Sequence, residues 1–128
     1  MNNLSRDGKI VISELRASFE RQLAVYVELR DTVRAGMSKL VLSRGDAGVL
    51  TAGIDRKMKL IEKINQERES IAGHIEFWQE HRKALSGDRD AVSLNDILTQ
   101  TEAVIKEFLA EEEKLKQYVE KICKKDGA

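Results

Sequence analysis

An all-α fold is expected of this 128-residue chain: three long helices side by side in an antiparallel, up-down-up, coiled-coil-like bundle. Three observations point there. Apolar residues return every three or four positions over most of the length, which is the period of a helix face and not of a strand. The sequence contains no Pro while 34% of it is charged, a composition that long solvated helices tolerate and turn-rich sandwiches or barrels do not. Only 5% is aromatic, so a core has to come from Leu, Ile and Val. The length suits one helical domain over residues 1–128, with helices at about 10–43, 46–85 and 93–124.

Residues 1–8 are polar and read as a frayed end, with Asp7 one candidate cap for the helix that follows. From Ile10 to Ser43 the stripe runs Ile12, Leu15, Phe19, Leu23, Tyr26, Leu29, Val33, Met37 and Leu40, in steps of three or four. Gln22 and Gly36 interrupt a stricter seven-residue reading. Gly36 should weaken its helix by up to about 1 kcal/mol relative to Ala, because Gly loses more backbone freedom on ordering.

Ser43-Arg44-Gly45-Asp46 then breaks the pattern. Gly45 suits the left-handed position that follows a helix, and Asp46 suits the N-cap of the next one. A connection this short turns the chain back on itself. The alternative is a helix that continues through Gly45, disfavoured by the closeness of Gly45 to Gly48.

The stretch 46–85 reads as one rod of roughly 57 Å at 1.5 Å per residue, too long for a small globule and in need of partners alongside. Its seam is Leu50, Ile54, Lys57, Ile61, Ile64, Arg68, Ile71, Ile75, Trp78, Arg82 and Leu85. The three basic members can lay their stems on the seam and keep their charge in water, and they restrict the register. Ser86 to Val92 forms the clearest break, with Gly87 as a stop signal and Ser93 as the next N-cap.

The last helix carries the most regular seam: Leu94, Leu98, Thr101, Ile105, Phe108, Glu112, Leu115, Val119 and Ile122 alternate steps of four and three. A second apolar line, Ile97, Val104, Leu109 and Tyr118, widens the stripe beyond what a two-stranded seam needs. In its first half that width fits either burial between two neighbours or an open surface. From Phe108 onward, helices of unequal length leave surface for an oligomer contact or a partner helix.

Chemistry is sparse. His74 and His81 lie seven apart, near Glu80, whereas one tetrahedral metal site on a helix needs spacing of four. They read as structural or surface histidines, and no metal site is expected. Neither histidine stands in the Lys-Gly-ending motif of phosphotransfer domains. The run Glu111-Glu112-Glu113 spreads around the helix instead of forming one face. No serine sits in a Gly-x-Ser-x-Gly turn and no Gly-rich phosphate loop exists, so neither catalysis nor a cofactor is expected. Net charge is zero, which argues against a general nucleic-acid binder. Cys123 is the only cysteine, which excludes an intramolecular disulfide and fits a reducing, cytoplasmic setting. No apolar run reaches signal-peptide or membrane-span length.

The run Leu42-Ser43-Arg44-Gly45-Asp46-Ala47-Gly48-Val49-Leu50, then Ile54 through Ile64, then Glu67-Arg68, resembles FlgN-type flagellar export chaperones. Asp46, Leu50, Lys57, Leu60, Ile64 and Arg68 sit where that family has a small or acidic turn, a Leu, a Lys, a Leu-rich turn and an Arg. Phe19-Glu20, Tyr26 and Leu29 fit its first helix. About half the chain is covered. The resemblance implies a small cytoplasmic helical chaperone that binds hook–filament junction proteins and hands them to the flagellar type III export machinery. Its C-terminal helix would take the client, here through Phe108, Leu115, Tyr118, Val119 and Ile122. The chain departs from the family in having no sharp signature in that helix. A structural coiled-coil or adaptor module that acts by homo-oligomerisation is the other reading.

Overall fold

The computed structural model of the protein describes residues 2–85 and 89–127. They form four helices: α1 (Asn2–Leu42), α2 (Ala47–Ser70), α3 (Ala72–Leu85) and α4 (Arg89–Gly127). The fold is all-helical, as expected. α1 is the spine and packs along each of the other three, whereas α2 and α4 approach each other little.

The helix count differs from the expected three, because the rod over 46–85 breaks at Ile71. The Ser70 hydroxyl donates to the Glu67 carbonyl at 2.8 Å, the acceptor that the Ile71 N–H would use in a continuous helix. The Ile71 N–H turns to the Glu69 carbonyl instead. Ile71 leaves the helical range at φ −109°, ψ 7°, and α3 restarts with Ile75 N–H donating to the Ile71 carbonyl at 2.9 Å. Gly73, two residues on, adds little to hold the rod straight.

Two boundaries also move. α1 begins at Asn2, so residues 2–8 are helical and Asp7 lies inside the helix instead of capping it. α4 begins at Arg89, so Ser93 is inside it and does not cap it. Gly87, expected as a stop signal, lies outside the described residues.

The turn between α1 and α2 follows the local chemistry. Gly45 has φ 90° and its N–H closes α1 onto the Leu40 carbonyl at 2.9 Å. Arg44 also takes a left-handed conformation, φ 60°. Asp46 caps α2, its carboxylate accepting from the N–H groups of Gly48 at 2.7 Å and Val49 at 3.3 Å. Ser43 Oγ accepts from the Asp46 N–H and donates to the Leu40 carbonyl, which ties the two helix ends together.

Among the described residues the interior divides into two apolar clusters. One gathers Val11, Ile12 and Leu15 of α1 with Ile71, Trp78, Ala91 and Leu94. The other gathers Leu29 and Val33 with Leu60 and Ile64 of α2 and Phe108 of α4. Between them, along the inward face of α1, stand Ser18 and Gln22, both buried, with buried Thr101 on α4. Only Leu60 and Ile64 of α2 are fully buried. At about 1.5–3 kcal/mol each, their burial is the main apolar contribution holding α2 in place.

Candidate functional site

An apolar groove lies between α2 and α4 near the α1–α2 turn. α1 lines it through Thr32, Val33, Gly36 and Leu40, α2 through Val49, Leu50, Gly53, Ile54 and Lys57, and α4 through Leu115 alone. Its cavity volume is only ≈ 30 Å³, room for a water or two, so it is a shallow apolar crease and not a small-molecule cleft. The glycines help to make it. A Cβ built on Gly36 or on Gly53 meets nothing within 4 Å, so α1 and α2 meet here without side chains to fill the space.

One ion pair crosses this groove. Lys57 Nζ on α2 donates to Glu112 Oε1 on α4 at 2.9 Å, each side chain about a quarter exposed. Each is one of the polar interruptions of its own seam, and the fold sets the two against each other. Apolar side chains continue onto the groove's borders. Ile54 and Met58, one turn apart on α2, are exposed, as is Leu109, one turn before Glu112 on α4.

The five residues expected to hold a partner are not one open face. Phe108 is buried in the second cluster, 9% exposed, against Leu29, Val33, Leu60 and Ile64. Leu115 packs on the same cluster and also lines the groove. Tyr118, Val119 and Ile122 are half-buried. Ile122 reaches the α1–α2 turn, its Cδ1 3.0 Å from where a Cβ on Gly45 would stand. The expected overhang of the last helix is therefore small. Arg30 meets Glu107 and Arg34 meets Glu111, each 77 positions on, and Ile122 lies opposite Gly45 at that same interval. α1 and the turn thus accompany α4 almost to its end. The apolar surface that the stripe called for sits on Leu109, Ile54 and Met58 instead.

A second polar group fills the level between the clusters. Glu67 of α2 accepts from Arg21 Nε at 2.7 Å, from Arg21 Nη2 at 3.2 Å and from Ser18 Oγ at 2.8 Å. Gln22 Nε2 in turn donates to Ser18 Oγ at 3.3 Å, and Thr101 Oγ1 donates to the Ile97 carbonyl at 2.7 Å. Arg21 is the main cause that holds the Glu67 carboxyl below the ordinary glutamate range; burial opposes it and Ser18 assists. The same hydrogen bond raises the Arg21 guanidinium. Among the described residues no buried side-chain polar atom lacks a partner.

The histidines are engaged locally. His74 Nε2 pairs with Glu14 Oε2 of α1. His81 stacks on Phe77 with ring centroids 4.1 Å apart, and its Nδ1 lies 3.0 Å from the Phe77 carbonyl. Cys123 is exposed beside the turn, at the opposite end of α1 from Glu14 and His74. Among the described residues no three His, Cys, Asp or Glu side chains are grouped to hold a metal ion, and no helix is long and apolar enough to cross a membrane.

Nothing matches the chain among family models, curated proteins or solved structures.

Proposed function

We propose that the chain is a non-enzymatic, cytoplasmic protein-binding module that holds an apolar segment of a client in the groove between α2 and α4. The observation that carries this reading is apolar surface left uncovered: a shallow, largely apolar crease together with exposed Ile54 and Met58 on α2 and Leu109 on α4. A client terminus that folds as an amphipathic helix would place its apolar face there, giving a capture that is reversible because ordering the segment offsets part of the contact energy. The resemblance to FlgN-type chaperones supplies the class of client, a hook–filament junction protein awaiting flagellar type III export.

In this reading the chain runs up through α1, down through α2 and α3, and up through α4. The pairs Arg30–Glu107 and Arg34–Glu111 support the shared sense of α1 and α4. Arg21–Glu67 and Glu28–Arg56 support the opposed sense of α2.

The test is co-purification with the C-terminal segment of a hook–filament junction protein. Ile54→Asp and Leu109→Asp should each abolish capture while the helical circular dichroism stays unchanged. Full capture by both variants would sink the reading. Homo-oligomerisation is the second reading, favoured by Leu42, which is 84% exposed at the end of α1 beside exposed Val41. Light scattering separates the two: an oligomer that Leu42→Asp reduces to a monomer, with no client captured, favours the second.

A further inference from the structure

We propose that α2 is a strap that opens about Ile71 on its own, uncovering Leu29, Val33 and Phe108 while the half of the bundle built on Ile12, Leu15, Trp78 and Leu94 stays closed. Three independent features carry this. The two apolar clusters share no residue, and the level between them is filled by Ser18, Gln22 and Thr101. Opening α2 therefore breaks the second cluster and exposes polar groups that water can satisfy, and it leaves the first cluster intact. The rod from Ala47 to Leu85 is already interrupted at Ile71, at the edge of that polar level, so α2 can leave without carrying α3 with it. Finally, α2 is thinly held. It buries only Leu60 and Ile64 fully, it meets α1 across the open space at Gly36 and Gly53, and its ion pairs through Arg56, Lys57 and Glu67 border solvent. Once detached, a lone 24-residue helix with Gly53 in its interior has little reason to stay helical. Opening therefore appears as loss of its backbone hydrogen bonds. α1 and α4 remain joined through Arg30, Arg34, Glu107 and Glu111. The opening is a property of the chain and does not depend on what the groove binds.

Native-state hydrogen exchange read by mass spectrometry tests this on the intact chain. Amides of residues 58–66 should exchange faster than those around Leu15, Trp78 and Leu94. Ile12→Val, a small cut in the closed half, should speed exchange around Leu15 and Leu94 by about two- to tenfold and leave 58–66 unchanged. Ile64→Val should speed both sets, since every route to full unfolding also releases α2. Equal exchange in the two halves of the unmodified protein overturns the proposal, as does Ile12→Val speeding residues 58–66 by the same factor as Leu94.

Discussion

Ser18 of α1 donates to Glu67 of α2 across 2.8 Å, at a level of the bundle where polar side chains replace apolar ones. Ser18 is fully buried, and its oxygen also accepts from Gln22 Nε2. One hydroxyl thus fixes an amide and a carboxylate at once. Such a level helps to fix the register of α2 against α1, because sliding α2 by one turn towards the start of α1 would set Glu67 against Leu15.

Removing that hydroxyl should cost more than an exposed serine would. Ser18→Ala leaves Gln22 Nε2 without its acceptor and Glu67 with Arg21 alone. We expect a loss of about 1–3 kcal/mol, measured as a drop in the urea midpoint with an unchanged slope. Ser13→Ala, an exposed site on the same helix, should stay within about 0.5 kcal/mol. A cost at Ser18 no larger than at Ser13 would show that the polar level contributes nothing to stability.

Acid should loosen the same level. The folded state holds the Glu67 carboxyl below its ordinary value, so it favours the ionised form. The stability this gives is present above the ordinary glutamate pKa and is lost as pH falls through the lower folded value. The pair is partly solvated, so its contribution is modest, about 1 kcal/mol or less. Glu67→Gln should therefore melt below the unmodified protein at pH 7, with the gap narrowing in the acid range below the ordinary glutamate pKa. A gap that stays constant across that range would assign the effect to packing and not to charge.

The turn offers a test of backbone strain against crowding. Gly45→Ala places a side chain at φ 90°, with its Cβ 3.0 Å from Ile122 Cδ1. We expect a loss of about 1–2 kcal/mol from the left-handed backbone alone. The Ile122 contact is with the end of a flexible side chain, so adding Ile122→Val should recover little. Arg44→Gly relieves a non-Gly residue at φ 60° and should be neutral or stabilising by about 0.5 kcal/mol. Both are read from thermal midpoints, and full recovery in the double variant would make crowding the cause.

Much of this architecture was legible because its causes are local. The stripes of α1 and α4, the left-handed Gly45 and the Asp46 cap each depend on a few neighbouring residues, and the sequence spells those out. The break at Ile71 was hidden in plain view: Ser70 and Gly73 are individually tolerated inside helices, and hydroxyl-to-carbonyl bonds like that of Ser70 also occur at Thr51, Thr99 and Thr101 in unbroken helix. Ser93 looked like a cap because Ser-Leu-Asn-Asp fits one, yet packing of Ala91 and Leu94 against the first cluster extends α4 past it. Gln22 read as an interruption, yet its bond to Ser18 is a local pair four residues apart; it is the bond from Ser18 to Glu67, 49 positions on, that needed the third dimension. The alignment of α1 with α4 is set by long-range packing, which no periodicity encodes, so the sequence could not say which part of the last helix would stay uncovered.

That misjudged alignment gives a sharp contrast between two adjacent residues of α4. Phe108 is buried among Leu29, Val33, Leu60 and Ile64, while Leu109 is 57% exposed. Phe108→Ala should cost about 3–5 kcal/mol, a large fraction of the roughly 5–15 kcal/mol of an ordinary domain, so its failure to capture a client would not by itself locate a binding surface. Leu109→Asp should change stability by no more than about 0.5 kcal/mol. Capture lost in Leu109→Asp with an unaltered melting curve therefore locates a surface, and capture retained there removes Leu109 from it. Intermediate Val119 supplies the calibration: half-buried beside the turn, Val119→Ala should fall between the two in stability cost. If all three variants lost stability alike, the exposed flank of α4 would be serving the fold and not a partner.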